Sequence, residues 1–297
     1  MDRFKPRFTI VDAPSVLGLH PGGVETLPQA LREAGLMSSL NAEDAGRVEP
    51  LPYELEHDKE TLVLNPKTIR EYSLYLERRV SQLLNNEQFP LVLGGDCSIL
   101  IGALLALRRT KRNYGLFFID GHADFYQPQA SPTGEVADMD LAIVSGRGPD
   151  ILTNIDGLKP LVRDEDVVVF GYRDANQAAN FGSQDVRDTA MGVFDLPRIR
   201  ELKITEAARL AVRGLLKQEL DGFWIHLDAD VLDDEIMPAV DYRLGGGLSF
   251  SELSDLLRIL FGSRRAVGMT ITIFNPCMDL DGSIARKLVS SIIAGVT

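Results

Sequence analysis

Three apolar runs in this chain each stop abruptly at an aspartate. Pro90-Leu91-Val92-Leu93 leads into Gly94-Gly95-Asp96-Cys97-Ser98, Tyr114 to Ile119 into Asp120-Gly121-His122-Ala123-Asp124, and Phe223 to Leu227 into Asp228-Ala229-Asp230. Read as buried strands, they place all three polar clusters at carboxyl ends. In a parallel sheet those ends lie along one edge, so the clusters can share one site. Alternate residues of an extended backbone point to one side, so Asp120, His122 and Asp124 can converge beyond their strand. Taken alone, such a triplet fits a metal site or a solvated loop. The second Asp-x-Asp after another buried strand favours the metal, because clustered carboxylates repel unless a cation holds them together.

The rest of the chain alternates strand-like and helix-like segments. Further strands are expected over Arg7 to Ala13, near Val48 to Leu51 at an edge, and over Asp166 to Tyr172, Gly192 to Asp195 and Ala266 to Phe274. Helical spacing marks Val24 to Leu36, Thr68 to Asn85, Ile99 to Arg108, Met139 to Val144, Thr205 to Leu220, Ser249 to Phe261 and Gly282 onward. Ser249 followed by Glu252 has the form of a capping box. A glycine-rich loop, Leu17 to Gly23, and a long loop over 124–136 also fall at the carboxyl edge. The simplest architecture is one three-layer α/β/α domain over residues 1–297 with a mostly parallel sheet.

The totals narrow the function. With 45% apolar residues, 297 residues suffice for a large core. A formal charge of −12 and a pI near 4.9 argue against nucleic-acid and anionic-membrane partners. No apolar run reaches the roughly 20 residues that span a bilayer, and no apolar h-region follows the first residues, so a cytoplasmic location is expected. Cys97 and Cys277 make no disulfide framework, and each reads as a free thiol or a ligand.

Taken together and in this order, the motifs resemble those of the ureohydrolase family, that is arginase, agmatinase and formimidoylglutamase. Leu17-Gly18 with Gly23-Val24-Glu25 is similar to the family's first loop, Gly94 to Ser98 to its glycine-glycine-aspartate-histidine-serine motif, and Asp120 to Asp124 to its aspartate-alanine-histidine-x-aspartate motif. Gly171-Tyr172-Arg173-Asp174 looks like its glycine-x-arginine-aspartate strand end, and Asp228 to Asp233 with Gly246-Gly247-Leu248 like its last metal motif. The resemblance covers nearly the whole chain. It implies an arginase-like fold and two divalent ions, manganese in the first instance. One ion would be held by Cys97, Asp120, Asp124 and Asp228, the other by Asp120, His122, Asp228 and Asp230. It also implies hydrolysis of a C–N bond in a small guanidino or related compound, with Asp124 orienting the attacking water and taking a proton, and a homo-oligomer such as a trimer or hexamer.

Three departures modify that expectation. Cys97 stands where the family usually has histidine; a thiolate ligand is softer and leans towards zinc or another thiophilic ion, while the alternative is a buried thiol that has left the centre. Ala137 stands thirteen residues past Asp124, where the amidinohydrolases place a proton-shuttling histidine. Ile273 stands two residues before Asn275-Pro276, where arginase-like members carry a glutamate that receives the guanidinium. Without that carboxylate a fully charged head group lacks a partner. Plain arginine is therefore disfavoured, and an uncharged or weakly basic head fits better. The family includes a hydrolase of N-hydroxy-arginine, which this chain resembles in Cys97, in Asp120-Gly121-His122 and in Trp224-Ile225-His226. A catalytically degenerate binding or regulatory protein is the alternative from another class.

Other residues enter as candidates beside the centre. Tyr126, Ser131, Thr133 and Asn176 lie where the family binds the substrate's amino-acid end, although loop packing explains the first three equally well. His20, on an edge loop, is a candidate proton donor or an ordinary loop residue. His226 alternates with Asp228 and reads as a support for the ligands or a core histidine, and Asp233 as a carboxylate that orients the loop after Asp230.

Overall fold

The computed structural model describes residues 6–216 and 219–297. Its strands are β1 (Phe8–Ala13), β2 (Glu43–Arg47), β3 (Phe89–Gly94), β4 (Tyr114–Ile119), β5 (Val167–Phe170), β6 (Gly192–Phe194), β7 (Gly222–Asp228) and β8 (Ala266–Thr272). They form one sheet in the order β2-β1-β3-β8-β7-β4-β5-β6. Every neighbouring pair in it is parallel. The mostly parallel sheet expected from the strand ends is wholly parallel in its ladder. The chain runs from β3 to β4 across the two places later filled by β8 and β7, so the four central strands bracket a switch in strand order. That is where parallel sheets open a crevice beyond their carboxyl ends.

Alternation along the strands feeds two cores. Ile10, Leu93, Phe117, Ile225 and Ile271 point to one face, and Val11, Val92, Phe118 and Trp224 to the other. The helices are α1 (Leu27–Glu33), α2 (Leu36–Leu40), α3 (Pro66–Asn85), α4 (Ile99–Arg109), α5 (Asp140–Val144), α6 (Asp150–Thr153), α7 (Ala175–Asn180), α8 (Leu196–Leu202), α9 (Ile204–Leu215), α10 (Phe250–Gly262) and α11 (Ser283–Val296). Helices α1 and α9 to α11 supply Leu27, Ala208, Leu256 and Leu288 to the first core; α3 to α5 supply Leu76, Leu104 and Leu141 to the second. The result is the three-layer α/β/α arrangement. His226 and Asp228 share the parity of Trp224, so both lie on the α3 to α5 side.

Local chemistry sets the element ends. Ser249 accepts from the Glu252 backbone N–H at 3.2 Å while the Glu252 carboxylate accepts from Ser249 N at 2.8 Å, the expected reciprocal cap of α10. The helix expected over Val24 to Leu36 is instead a short 3-10 turn followed by α1 and α2, because Gly35 adopts φ 92° and ends α1. The edge strand expected near Val48 to Leu51 lies at Glu43–Arg47, whose residues are largely solvent-exposed and show no apolar pattern. The expected helix Thr205 to Leu220 is α9, ending at Leu215, and residues 217 and 218 lie outside the described part. Helices α6, α7 and α8 were not expected. The last strand stops at Thr272 because Ile273 turns the chain with φ 69°.

Candidate metal centre

Three carboxyl ends and the turns behind them assemble the centre. Gly94-Gly95 brings β3 close to the first loop, where a Cβ on Gly95 would sit 1.9 Å from the Ser15 carbonyl oxygen; only glycine lets these backbones approach so closely. The turn leaves Cys97 buried above β7 and β8. Its thiol donates to Asp228 Oδ2 at 2.9 Å and to Thr272 Oγ1 at 3.1 Å as alternatives. After β4, the backbone N–H of His122 donates to Asp120 Oδ1 at 2.7 Å and that of Gly121 to Asp230 Oδ1 at 2.9 Å. After β7, Asp230 N donates to Asp228 Oδ1 at 2.7 Å. His122 Nδ1 lies 2.7 Å from Asp230 Oδ2 and 3.8 Å from Asp120 Oδ1. Asp124 takes φ 45°, a left-handed conformation that aspartate adopts more readily than most residues, and it lines the cleft.

The structure thus brings together all six residues expected as ligands. Asp120, His122 and Asp124 offer donor atoms within 4.8 Å of one another, as do Asp120, Asp228 and Asp230. Burial, followed by the neighbouring carboxylates, pushes Asp120, Asp124 and Asp228 well above the ordinary carboxyl range. Burial also pushes the Cys97 thiol up, with Asp228 adding to it. His122 and Asp230 behave as an ion pair: burial opposes both charges, yet each holds the other ionised, so the imidazole rises and the carboxylate falls. Asp120 Oδ2 is buried without a hydrogen-bond partner. A set of mutually repelling carboxylates with an orphaned oxygen is a poor structural core and a good fit to divalent cations.

Around these residues the fold adds supports that the sequence did not single out as such. Asp174 accepts from Ala123 N at 3.0 Å. The Arg173 guanidinium ties Asp230, Leu232 and Leu244 carbonyls together at 2.9, 3.2 and 2.6 Å. Both belong to the Gly171 to Asp174 strand end, whose order in the motif series could have flagged them.

The cleft over the centre is lined by Cys97, His122, Asp124, Asp228 and Asp230 at its floor and by Leu19, Tyr126, Thr133, Glu135, Ala137, Asp138, Asp241, Tyr242 and Ile273 on its walls. Of the residues expected beside the centre, Tyr126, Thr133 and Ile273 line this cleft. Ser131 does not line the cleft: its hydroxyl donates to Asp138 at 2.8 Å and accepts from Gly134 N at 2.9 Å, which consumes it in holding the loop. Asn176 faces solvent on α7, and Gln177 beside it reaches the cleft instead. His20 is half exposed at the rim, its Nδ1 3.0 Å from Glu135 Oε1, away from the reacting floor. Asp233 accepts from Glu235 N at 2.9 Å and shapes a turn rather than contacting the ligands. His226 is fully buried beneath the floor.

Four wall carboxyl and hydroxyl groups were not foreseen: Glu135, Asp138, Asp241 and Tyr242. Glu135 is buried and accepts from Tyr242 Oη at 2.6 Å. Among the described residues lining the cleft there is no lysine or arginine. These walls come from segments far apart in sequence, and no local pattern marks them.

Comparison with known proteins agrees with the geometry. The sequence profile described as "Arginase family" matches residues 7–296. The arginase of Staphylococcus aureus (strain COL) is 31% identical over 290 residues, covering 95% of this chain and 94% of that one. The arginase of Bacillus caldovelox superposes with a TM-score of 0.89 at 27% identity, covering 98% of each chain. Proclavaminate amidino hydrolase from Streptomyces clavuligerus, at 20% identity and a TM-score of 0.69 over 99% of this chain and 94% of that one, shares the fold. By the family match over residues 7–296 and the 31% identity that spans 95% of it, this chain is a member of the arginase family.

Proposed function

We propose that the protein is a binuclear metal-dependent hydrolase of a linear C–N bond in a small guanidino or related compound, with plain arginine a disfavoured substrate. The observation that carries this reading is the convergence of Cys97, His122, Asp124, Asp228 and Asp230 on the floor of one acidic cleft, with Asp120 offering a donor atom within 4.8 Å of theirs. One ion would be held by Cys97, Asp120, Asp124 and Asp228 and the other by Asp120, His122, Asp228 and Asp230, with Asp120 and Asp228 common to both sets. Manganese suits the carboxylate oxygens, and the thiol of Cys97 draws the first position towards zinc. Bound there, the ions supply Lewis acidity and a water acidic enough to attack at neutral pH.

The chain's own residues do the rest. Asp124 reaches the cleft and can orient that water, accept its proton and return it to the departing nitrogen. Ala137 can carry no proton, so the departing nitrogen would take its proton from Asp124, from water or from another residue. Ile273 and Ala137 present apolar surface to the cleft, so a guanidinium head would find no carboxylate at position 273 to pair with directly. An N-hydroxyguanidine meets that condition, because its electron-withdrawing hydroxyl lowers its basicity. Glu135, Asp138 and Asp241 give the walls an acidic character that suits an amine-bearing tail.

A screen of guanidino, N-hydroxyguanidino and formimino compounds with protein loaded with manganese, cobalt or zinc tests this reading. We expect a urea-type product, formed faster from an N-hydroxyguanidino compound than from arginine. Absence of product with every metal and compound would overturn it in favour of a protein that binds without turning over, the alternative raised by Cys97, Ala137 and Ile273.

A further inference from the structure

The hydroxyls around the cleft are the natural donors for a carboxylate on a substrate's tail, and most of them are already spent on carboxylates of the protein itself. Ser131 Oγ donates to Asp138 Oδ2 at 2.8 Å, and Thr133 Oγ1 donates to the same oxygen at 3.3 Å. Tyr242 Oη donates to Glu135 Oε2 at 2.6 Å, which joins the loop before Ala137 to the segment that carries Asp241. Among the described residues on the walls, the Tyr126 hydroxyl and the Gln177 amide remain as neutral side-chain donors.

The cations within reach are matched as well. His20 Nδ1 lies 3.0 Å from Glu135 Oε1 at the half-exposed rim, and His122 Nδ1 lies 2.7 Å from Asp230 Oδ2 on the floor. Three wall carboxyls, Glu135, Asp138 and Asp241, thus stand where no lysine or arginine lines the cleft among the described residues. One of them also lacks a partner: Asp138 Oδ1 is buried without a hydrogen bond. Buried polar atoms are nearly always satisfied, so this oxygen marks a place for a donor. Burial pushes the Asp138 carboxyl up to about 7, against the opposing Ser131 hydrogen bond. An ammonium nearby restores such a carboxyl to its charged form, and a second carboxylate does the reverse.

We propose that Glu135 filters the substrate's tail by charge: with Asp138 and Asp241 it holds a tail that ends in an ammonium and rejects one that also bears a carboxylate. The inference rests on reading the cleft as the substrate site of the proposed hydrolase, and it names the tail which that site takes. A group that holds the tail equally in the ground and transition states acts on KM and leaves kcat in place, whereas a group that merely supports the centre would move kcat.

Ligand pairs that differ by one carboxylate test the filter on full-length protein with manganese or zinc present. Calorimetry compares the binding of 1,4-diaminobutane with that of ornithine. Kinetics compare (4-aminobutyl)guanidine with arginine, and the N-hydroxy form of each. We expect the carboxylate-free member of each pair to be favoured at least about tenfold, in Kd and KM more than in kcat, because like charges brought together are strongly disfavoured. Glu135→Gln, which keeps an acceptor for Tyr242, should lose most of that preference. Circular dichroism checks folding, and Asp241→Asn, at a half-buried wall position, carries the same test should Glu135→Gln not fold. Equal affinity for the two amines, binding of neither, or a preference undiminished in the folded variant would overturn the filter alone. A diamine preference that is lost in the variant, with no urea-type product from any compound, would support the filter and overturn the hydrolase reading.

Discussion

Asp228→Asn is expected to remove hydrolysis and metal together. The carboxylate is the shared neighbour of Cys97 and Asp230 and a candidate bridge between both ions. Asparagine retains an oxygen for the Asp230 N–H but loses the charge that two cations require. The rate should fall by more than the roughly 10²–10³-fold that one preorganised electrostatic group contributes. Metal-induced stabilisation, about 4 kcal/mol for one site at a thousandfold excess over Kd, should shrink correspondingly in thermal melts. Metal-free Asp228→Asn should be no less stable than metal-free wild type, because a buried carboxyl pushed up by desolvation and by Asp230 has been relieved of its charge. A variant with wild-type turnover and a full metal-induced shift would place Asp228 outside the centre.

Ile273→Glu should convert substrate preference. The position is nearly buried, it lines the cleft, and its N–H donates to the Gly95 carbonyl at 2.9 Å. It also holds φ 69°, a left-handed conformation for which a β-branched side chain is poorly suited and which costs on the order of 1–3 kcal/mol. The backbone here is therefore dictated by the turn and not by isoleucine, so an unbranched glutamate fits at least as well. A carboxylate at this point gives a guanidinium the partner it lacks. An unpaired buried charge costs about 3–5 kcal/mol, so the ratio of kcat/KM for arginine to that for N-hydroxy-arginine should rise about 10²–10³-fold. An unchanged ratio would mean that the head group does not approach Ile273.

Much of the fold was legible because apolar strands that end in polar residues carry two messages at once. The burial of Leu91 to Leu93, Phe117 to Ile119 and Phe223 to Leu227 announces a covered parallel sheet, and the abrupt aspartates announce the side on which chemistry collects. The cluster of candidate donors was legible for the same reason, since strand ends place it without help from distant loops. Edge strand β2 was displaced in the reading because Glu43–Arg47 faces water and lacks an apolar signature. The wall residues Glu135, Asp241 and Tyr242 were beyond reach, because they meet only through tertiary packing. Ser131 follows the second of its two expected readings, loop packing, with its hydroxyl hydrogen-bonded to Asp138 and Gly134.

The most direct test of the central claim is a metal count. Full-length protein, loaded with manganese or zinc and dialysed free of excess, should retain about two ions per chain by elemental analysis, as the two overlapping ligand sets require. Retention of no ion, or of ions undiminished when Asp120 and Asp228 are both replaced by asparagine, would contradict the account.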